Sequence, residues 1–108
     1  MAYVIRDWND YFENAKSRTI KNPSHVWVPN SHDGMIFSGI ADQKNASDIF
    51  TGWVLMIQLA SKMPERGILR NKYGDLTTSD MARMTRFPEK VFKDAIDYLL
   101  GTWINETS

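Results

Sequence analysis

The sequence predicts an α+β domain, mainly helical, in which a three-helix core carries a small two-stranded wing and an irregular N-terminal extension precedes it. Three observations lead there. Residues 76–100 read as two short helices joined by a tight turn, residues 47–60 carry a broad apolar face at helical spacing, and residues 66–70 and 102–105 are short runs suited to strands. On this reading residues 1–46 form the extension and residues 47–108 the helix-turn-helix domain.

Taken in order, Trp8, Tyr11, Phe12 and Ala15 are spaced like a short helix. From Ser17 to Asn45 order weakens. Asn22-Pro23, Pro29-Asn30 and Asp33-Gly34 are turn signals, and the apolar islands Val26-Trp27-Val28 and Met35-Ile36-Phe37 lie between them, which predicts an irregular connection docked through Trp27 and Phe37. Ser47 is a suitable N-cap for a helix bearing Ile49, Phe50, Trp53, Val54, Ile57, Leu59 and Ala60, which ends before Met63-Pro64. Arg66 to Arg70 reads as a strand and Asn71 to Asp75 as a polar turn. Residues 66–70 and 102–105 are expected to pair with each other.

The helix pair has the clearest local chemistry. Thr77 and Asp80 form a capping box, in which the hydroxyl accepts from the third helical N–H and the carboxylate reaches back. Met81, Ala82 and Thr85 share a face, and Arg86-Phe87 makes the turn. Pro88 is expected as the first residue of the second helix, where its missing N–H costs nothing, with Glu89 in the positive first turn. Val91, Phe92, Ala95, Ile96, Leu99 and Leu100 form its buried stripe, and Gly101 ends it.

Composition bounds the function. The 108 residues, 43% of them apolar, suffice for one modest core. Thirteen basic and thirteen acidic residues cancel, so no global charge announces a nucleic-acid partner. The absence of cysteine excludes disulfides, Cys-type zinc fingers and thiol catalysis, and it suits a reducing cytoplasm. The longest apolar stretch, Trp53 to Ile57, is too short to span a bilayer, so no membrane partner is expected. In that setting the sequons at Asn45 and Asn105 carry no glycosylation.

Charge is nonetheless uneven. Between Arg66 and Lys93, seven basic residues (Arg66, Arg70, Lys72, Arg83, Arg86, Lys90 and Lys93) face three acidic ones, Asp75, Asp80 and Glu89, a local excess of four. Arg83, Arg86 and Lys90 flank the turn between the helices, where phosphate clamps sit in such domains. Lys16, Arg18 and Lys21 form a looser second segment. Against this, the last helix carries two lysines beside Glu89, Asp94 and Asp97, a poor complement for a recognition helix.

Other chemistries find little support. His25 and His32 with Asp33 lack a further ligand at diagnostic spacing, so no metal is expected. The trio His25, Asn30 and His32 is too compressed for a His-Asn-His nuclease. Asp7 with Asp10, and Asp94 with Asp97, read as solvated faces or caps rather than acid/base dyads. The glycines are isolated, so no phosphate loop exists, and no cofactor is expected. Trp53, Phe92 and Trp103 read as core, while Tyr73 in its polar turn reads as exposed.

The order helix, strand, helix, helix, strand is that of a winged helix-turn-helix. The run Trp53 to Ala60, Arg66 to Leu69, Asp75 to Thr77, Met81-Ala82, Thr85-Arg86, Val91-Phe92, Leu99-Leu100 and Trp103-Ile104 resembles the amino-terminal winged-helix domains of phage and prophage DnaD-like replication proteins, the replisome organisers of Gram-positive bacteria and their viruses. Arg6-Asp7-Trp8, Tyr11-Phe12-Glu13, Trp27-Val28, Pro29-Asn30 and Asp33-Gly34 extend the likeness to the front of the chain. Family members usually continue into a linker and further domains, whose activities are not carried over to these 108 residues. The resemblance implies a non-enzymatic, cytoplasmic phage protein of the bacterial host cell that binds double-stranded DNA in replication initiation or transcription control. Arg70, Lys72, Arg83 and Arg86 are then expected on phosphates, and Lys90 and Lys93, with Thr78 and Ser79, at the groove. The alternative is a protein-interaction module of the same fold, its mixed-charge helix face pairing with a replication protein or with a second copy as a homodimer.

Overall fold

The computed structural model describes every residue except Asn22, Ser31 and Asp33, so the turns expected at Asn22-Pro23 and Asp33-Gly34 lie partly outside the described residues. Strand β1 (Ala2–Ile5) and a single helical turn, α1 (Trp8–Tyr11), come first, then a 3₁₀ turn at Ser17–Thr19 and helix α2 (Met35–Ala41). Helix α3 (Ala46–Ala60) leads through a hairpin of β2 (Arg70–Asn71) and β3 (Gly74–Asp75) into α4 (Thr78–Thr85) and α5 (Glu89–Leu99), followed by β4 (Ile104–Thr107). The described residues thus form an α+β fold with five α-helices and two small antiparallel sheets.

Packing is dominated by the contact of α3 with α5. Trp53, Met56, Ile57 and Ala60 of α3 are buried with Phe92, Ala95, Ile96 and Leu99 of α5, and Met81 of α4 joins them. The two helices approach so closely because residue 52 is glycine. A Cβ there would overlap the Val91 carbonyl oxygen and lie 2.9 Å from the Ala95 Cβ. Two local expectations are corrected at the helix ends. Asn45, not Ser47, holds the N-cap position of α3, with no side-chain hydrogen bond to the helix, and Pro88 is the N-cap of α5 with extended ψ of 140° rather than its first helical residue. Leu100, assigned to the buried stripe, is exposed because α5 stops at Leu99 and the chain turns extended there.

The sheet departs from expectation more deeply. β4 does not pair with the 66–70 segment, because β1 lies between them. β1 runs antiparallel to β4 with Ala2 opposite Thr107 and Ile5 opposite Ile104. On its other side the Ile5 N–H donates to the Gly67 carbonyl and the Leu69 N–H donates to the Tyr3 carbonyl, each at 2.8 Å, with Val4 facing Ile68. Ile5, Leu69 and Ile104 are buried against the helices. Gly67 has a left-handed φ of 92°, and Trp8 packs so closely that a Cβ there would sit 2.8 Å from the ring's Cγ atom.

The N-terminal residues are held by a buried polar cluster. Trp8 Nε1 donates to Glu13 at 2.7 Å, Arg66 pairs with the same carboxylate, and Arg66 also donates to the Ser17 carbonyl at 2.9 Å. Trp8 and Phe12 stack with centroids 5.0 Å apart. Within the segment expected to be irregular, Met35–Ala41 is helical, and Phe37 reaches Phe50 of α3 edge-on at 5.9 Å. Trp27, expected to dock this segment, is 56% exposed instead.

Replacing Gly52 with alanine improves helix propensity by about 1 kcal/mol, yet overpacking against a backbone carbonyl costs about 1–3 kcal/mol or more. Gly52→Ala is therefore expected to lower the thermal midpoint, and a raised midpoint would contradict this packing. Removal of residues 101–108 takes away β4 and leaves one edge of β1 unpaired. Loss of cooperative unfolding is expected in calorimetry, whereas a melting curve like that of the intact chain would mean that β4 contributes nothing.

Candidate functional site

The turn between α4 and α5 is built by its own sequence. The Asp80 N–H donates to Thr77 Oγ1 at 3.1 Å and the Thr77 N–H donates to Asp80 Oδ2 at 2.9 Å, so both halves of the capping box are formed. At the other end of α4, Arg86 adopts the left-handed conformation with φ 62° and its N–H donates to the Ala82 carbonyl at 2.8 Å. A non-glycine residue there stops the helix and turns the chain toward Pro88. The Thr78 hydroxyl then donates to Glu89 Oε2 at 2.6 Å, tying the start of α4 to the start of α5.

The eight residues expected to meet DNA fall into separate groups. Arg70 and Lys72 lie on the β2–β3 hairpin, and the groove between that hairpin and α4 is lined by Tyr73, Arg83 and Met84. Arg83 is 72% exposed and pairs at 2.8 Å with Asp80, while Arg70 pairs at 2.6 Å with Asp75. Ser79 and Arg86 are exposed. Thr78 and Lys93 converge on Glu89, Lys93 at 3.7 Å. Lys90 lies apart, at the seam of α3 and α5, where its ammonium contacts Asp48 at 2.9 Å and Asp94 one turn on. Among the described residues, Lys72 and Arg86 form no ion pair; the Lys72 ammonium instead sits 5.1 Å from the Tyr73 ring centroid.

These pairs set the titration of their carboxylates. The Thr77 N–H, then Arg83 and the Thr77 hydroxyl, hold Asp80 below the ordinary carboxylate value. Arg70 does the same for Asp75, and Lys90, aided by Asn45, for Asp94. Asp94 and Asp48 in turn hold Lys90 above the usual lysine value.

The remaining cation of the basic window is structural. Arg66 belongs to the buried Glu13 cluster and is not available to a ligand. Spacing could have suggested Asp80 with Arg83, Glu89 with Lys93 and Lys90 with Asp94, since residues three or four apart meet on a helix. Nothing local points to Asp48, which lies 42 residues from its partner Lys90. His25 shares a hydrogen bond with Ser24 at 2.7 Å and His32 packs on Phe37 at 4.8 Å, while Asp33 lies outside the described residues. No helix among the described residues is long and apolar enough to cross a membrane.

A carboxylate with a lowered pKa stabilises the fold above its unfolded value, and that contribution fades as pH falls through the folded value. Asp80→Asn is therefore expected to be less stable than the parent at neutral pH, with the difference shrinking below about pH 4. A difference that holds constant through an acid titration followed by circular dichroism would exclude the charged capping box as its cause. No family model, no curated protein and no solved structure matches this chain.

Proposed function

We propose that this chain is a non-enzymatic DNA-binding domain of the winged helix-turn-helix kind, acting in phage or prophage replication initiation or transcription control in the cytoplasm of the bacterial host. In this reading α3, α4 and α5 are the three-helix core, and β1 and β4 are the strands beside it. The observation that carries the reading is the exposure of Arg83 and Arg86 around a tightly built helix-helix turn, with Lys72 on the neighbouring hairpin. Arginine forks at such a turn suit phosphate oxygens, and the Asp80 partner of Arg83 is an exposed pair that contributes little and is readily exchanged. The positive first turn of α5 is partly spent on Glu89, so phosphate contacts are assigned to Arg83, Arg86, Arg70 and Lys72. Lys90 and Lys93, with Thr78 and Ser79, are left for the groove.

A second reading has its own observation. The α5 lysines are matched by Asp48, Asp94 and Glu89 within the chain, so this face is close to neutral and suits a protein surface of mixed charge. The same fold would then act as an interaction module for a replication protein or a second copy of itself.

Salt separates the two. Phosphate contacts release counterions, so Arg83→Ala with Arg86→Ala is expected to weaken binding to duplexes of any sequence and to flatten the salt dependence by roughly one unit per lost contact. Replacing Asp94 and Asp97 by asparagine should strengthen duplex binding by removing carboxylates that repel phosphate. If a protein is the partner, the same change should damage association as much as loss of Lys90 and Lys93. Titration of random duplex at two salt concentrations is the measurement, and no duplex binding at low salt would leave the interaction module as the account.

A further inference from the structure

We propose that Tyr73 is a base-stacking residue, so that the domain favours DNA with unpaired bases beside a duplex over blunt duplex. This rests on the DNA-binding reading and adds to it the form of DNA recognised.

Tyr73 is 85% exposed, an unusual fate for so large an aromatic surface. Its backbone is nevertheless fixed. Asn71 and Gly74 face each other across the hairpin, leaving Lys72-Tyr73 as the two-residue tip, and the Tyr73 N–H donates to Asn71 Oδ1 at 2.9 Å. The Arg70 to Asp75 pair closes the hairpin one position further in. A short, cross-braced tip meets a ligand with little loss of backbone freedom.

What surrounds the ring selects the ligand. The Lys72 ammonium lies over it, and the groove of about 410 Å³ beside it is lined by Asn71, Asp75, Asp80, Arg83 and Met84, its two carboxylates engaged by Arg70 and Arg83. Between residues 70 and 86 four basic residues, Arg70, Lys72, Arg83 and Arg86, face only Asp75 and Asp80. An aromatic face with a lysine over it and an arginine in the adjoining groove matches a planar base carrying phosphates on either side. Inside a duplex both faces of a base are already stacked, so away from the duplex ends only an unpaired base can lie on the ring. The arginines at the α4–α5 turn would hold the adjoining duplex.

The tryptophans packed at α3 lack this combination. Trp53 and Trp103 pack on one another at 5.0 Å, and the groove they line with Tyr11 and Phe37 has Arg6 as its cation, whose guanidinium already donates to the Gly101 and Thr102 carbonyls.

Four probes test the proposal: a blunt duplex, the same duplex with a short single-stranded overhang, the same with an abasic overhang, and the strand alone. The intact chain is expected to bind the overhang about tenfold more tightly than the blunt or abasic forms, in line with stacking of a single base. Tyr73→Ala should lose that gain and keep its affinity for blunt duplex, and Tyr73→Phe should retain it. Unchanged overhang binding by Tyr73→Ala, or equal losses on the base-bearing and abasic overhangs, would overturn the stacking role while leaving duplex binding in place. Tyr73-dependent binding to the strand without any duplex binding would keep the stacking role and sink the duplex reading. Binding to none of the probes, or a Tyr73-dependent self-association seen by sedimentation without a DNA effect, would overturn both.

Discussion

The geometry of this protein depends on one close approach, that of the α3 backbone at Gly52 to the α5 backbone at Val91. A side chain at position 52 would push the helices apart, and the buried stripe of Phe92, Ala95, Ile96 and Leu99 could no longer seat on Trp53, Met56 and Ile57. Interiors pack too densely to absorb such a shift locally. Because α5 is fixed in this way, the α4–α5 turn has one position available to it, and Thr78 meets Glu89 across it. The Lys90 bridge to Asp48 is a consequence of the same contact. It is an exposed pair that reports the closeness of α3 and α5 without creating it.

The sheet obeys a different logic. β1 is four residues long and finds its partners about 65 and 100 positions away, at Gly67 to Leu69 and at β4. Inserting it between those segments satisfies the backbone groups of a strand that would otherwise be a buried edge. Its side chains help little in recognising it from sequence. Ala2 and Ile5 are buried while Tyr3 and Val4 are partly so, a pattern without the alternation that marks a strand. The turn to Trp8 then needs Asp7 in the left-handed conformation, φ 55°, and the Arg6 N–H donates to the Trp103 carbonyl at 2.9 Å, so the N-terminal residues join the sheet and the C-terminal loop together.

Legibility in the sequence followed the range of the interaction. The capping box of Thr77 and Asp80, the break at Arg86-Phe87, most of the buried face of α5 and part of that of α3 are set by residues within a few positions of one another, and composition and spacing disclose them; buried Met56 and exposed Phe50 of α3 escape that reading. The pairing of β1 is non-local, and it remained hidden, as did the Glu13 to Arg66 bridge that removes one cation from the basic window. Helix α2 was obscured by its composition, since Met35-Ile36-Phe37 is followed by Ser38-Gly39, and Gly39 accommodates the Tyr98 hydroxyl rather than favouring a helix. At the candidate site the basic residues were countable, but counting says nothing about partners. Only Lys72 and Arg86, among the cations proposed for DNA, escape pairing with a described carboxylate.

That distribution of partners divides the surface around α4 and α5 into two halves of different character. On the side of α3, Lys90 is held between two carboxylates, and a phosphate would have to displace both to gain it. On the side of the hairpin, Arg70 and Arg83 have one carboxylate partner each, Asp75 and Asp80, Lys72 has only a neutral ring, and Arg86 has none among the described residues. An anionic ligand therefore gains more from approaching over the hairpin and the α4–α5 turn than along the outer face of α5, because fewer internal pairs must break there. The net charge of zero is compatible with such an approach, since a ligand drawn within about 8–10 Å responds to the nearest cations rather than to the sum over the chain. The Lys72-Tyr73 tip of the hairpin, exposed beyond four residues of regular strand, is thus the part of this fold that packing accounts for least.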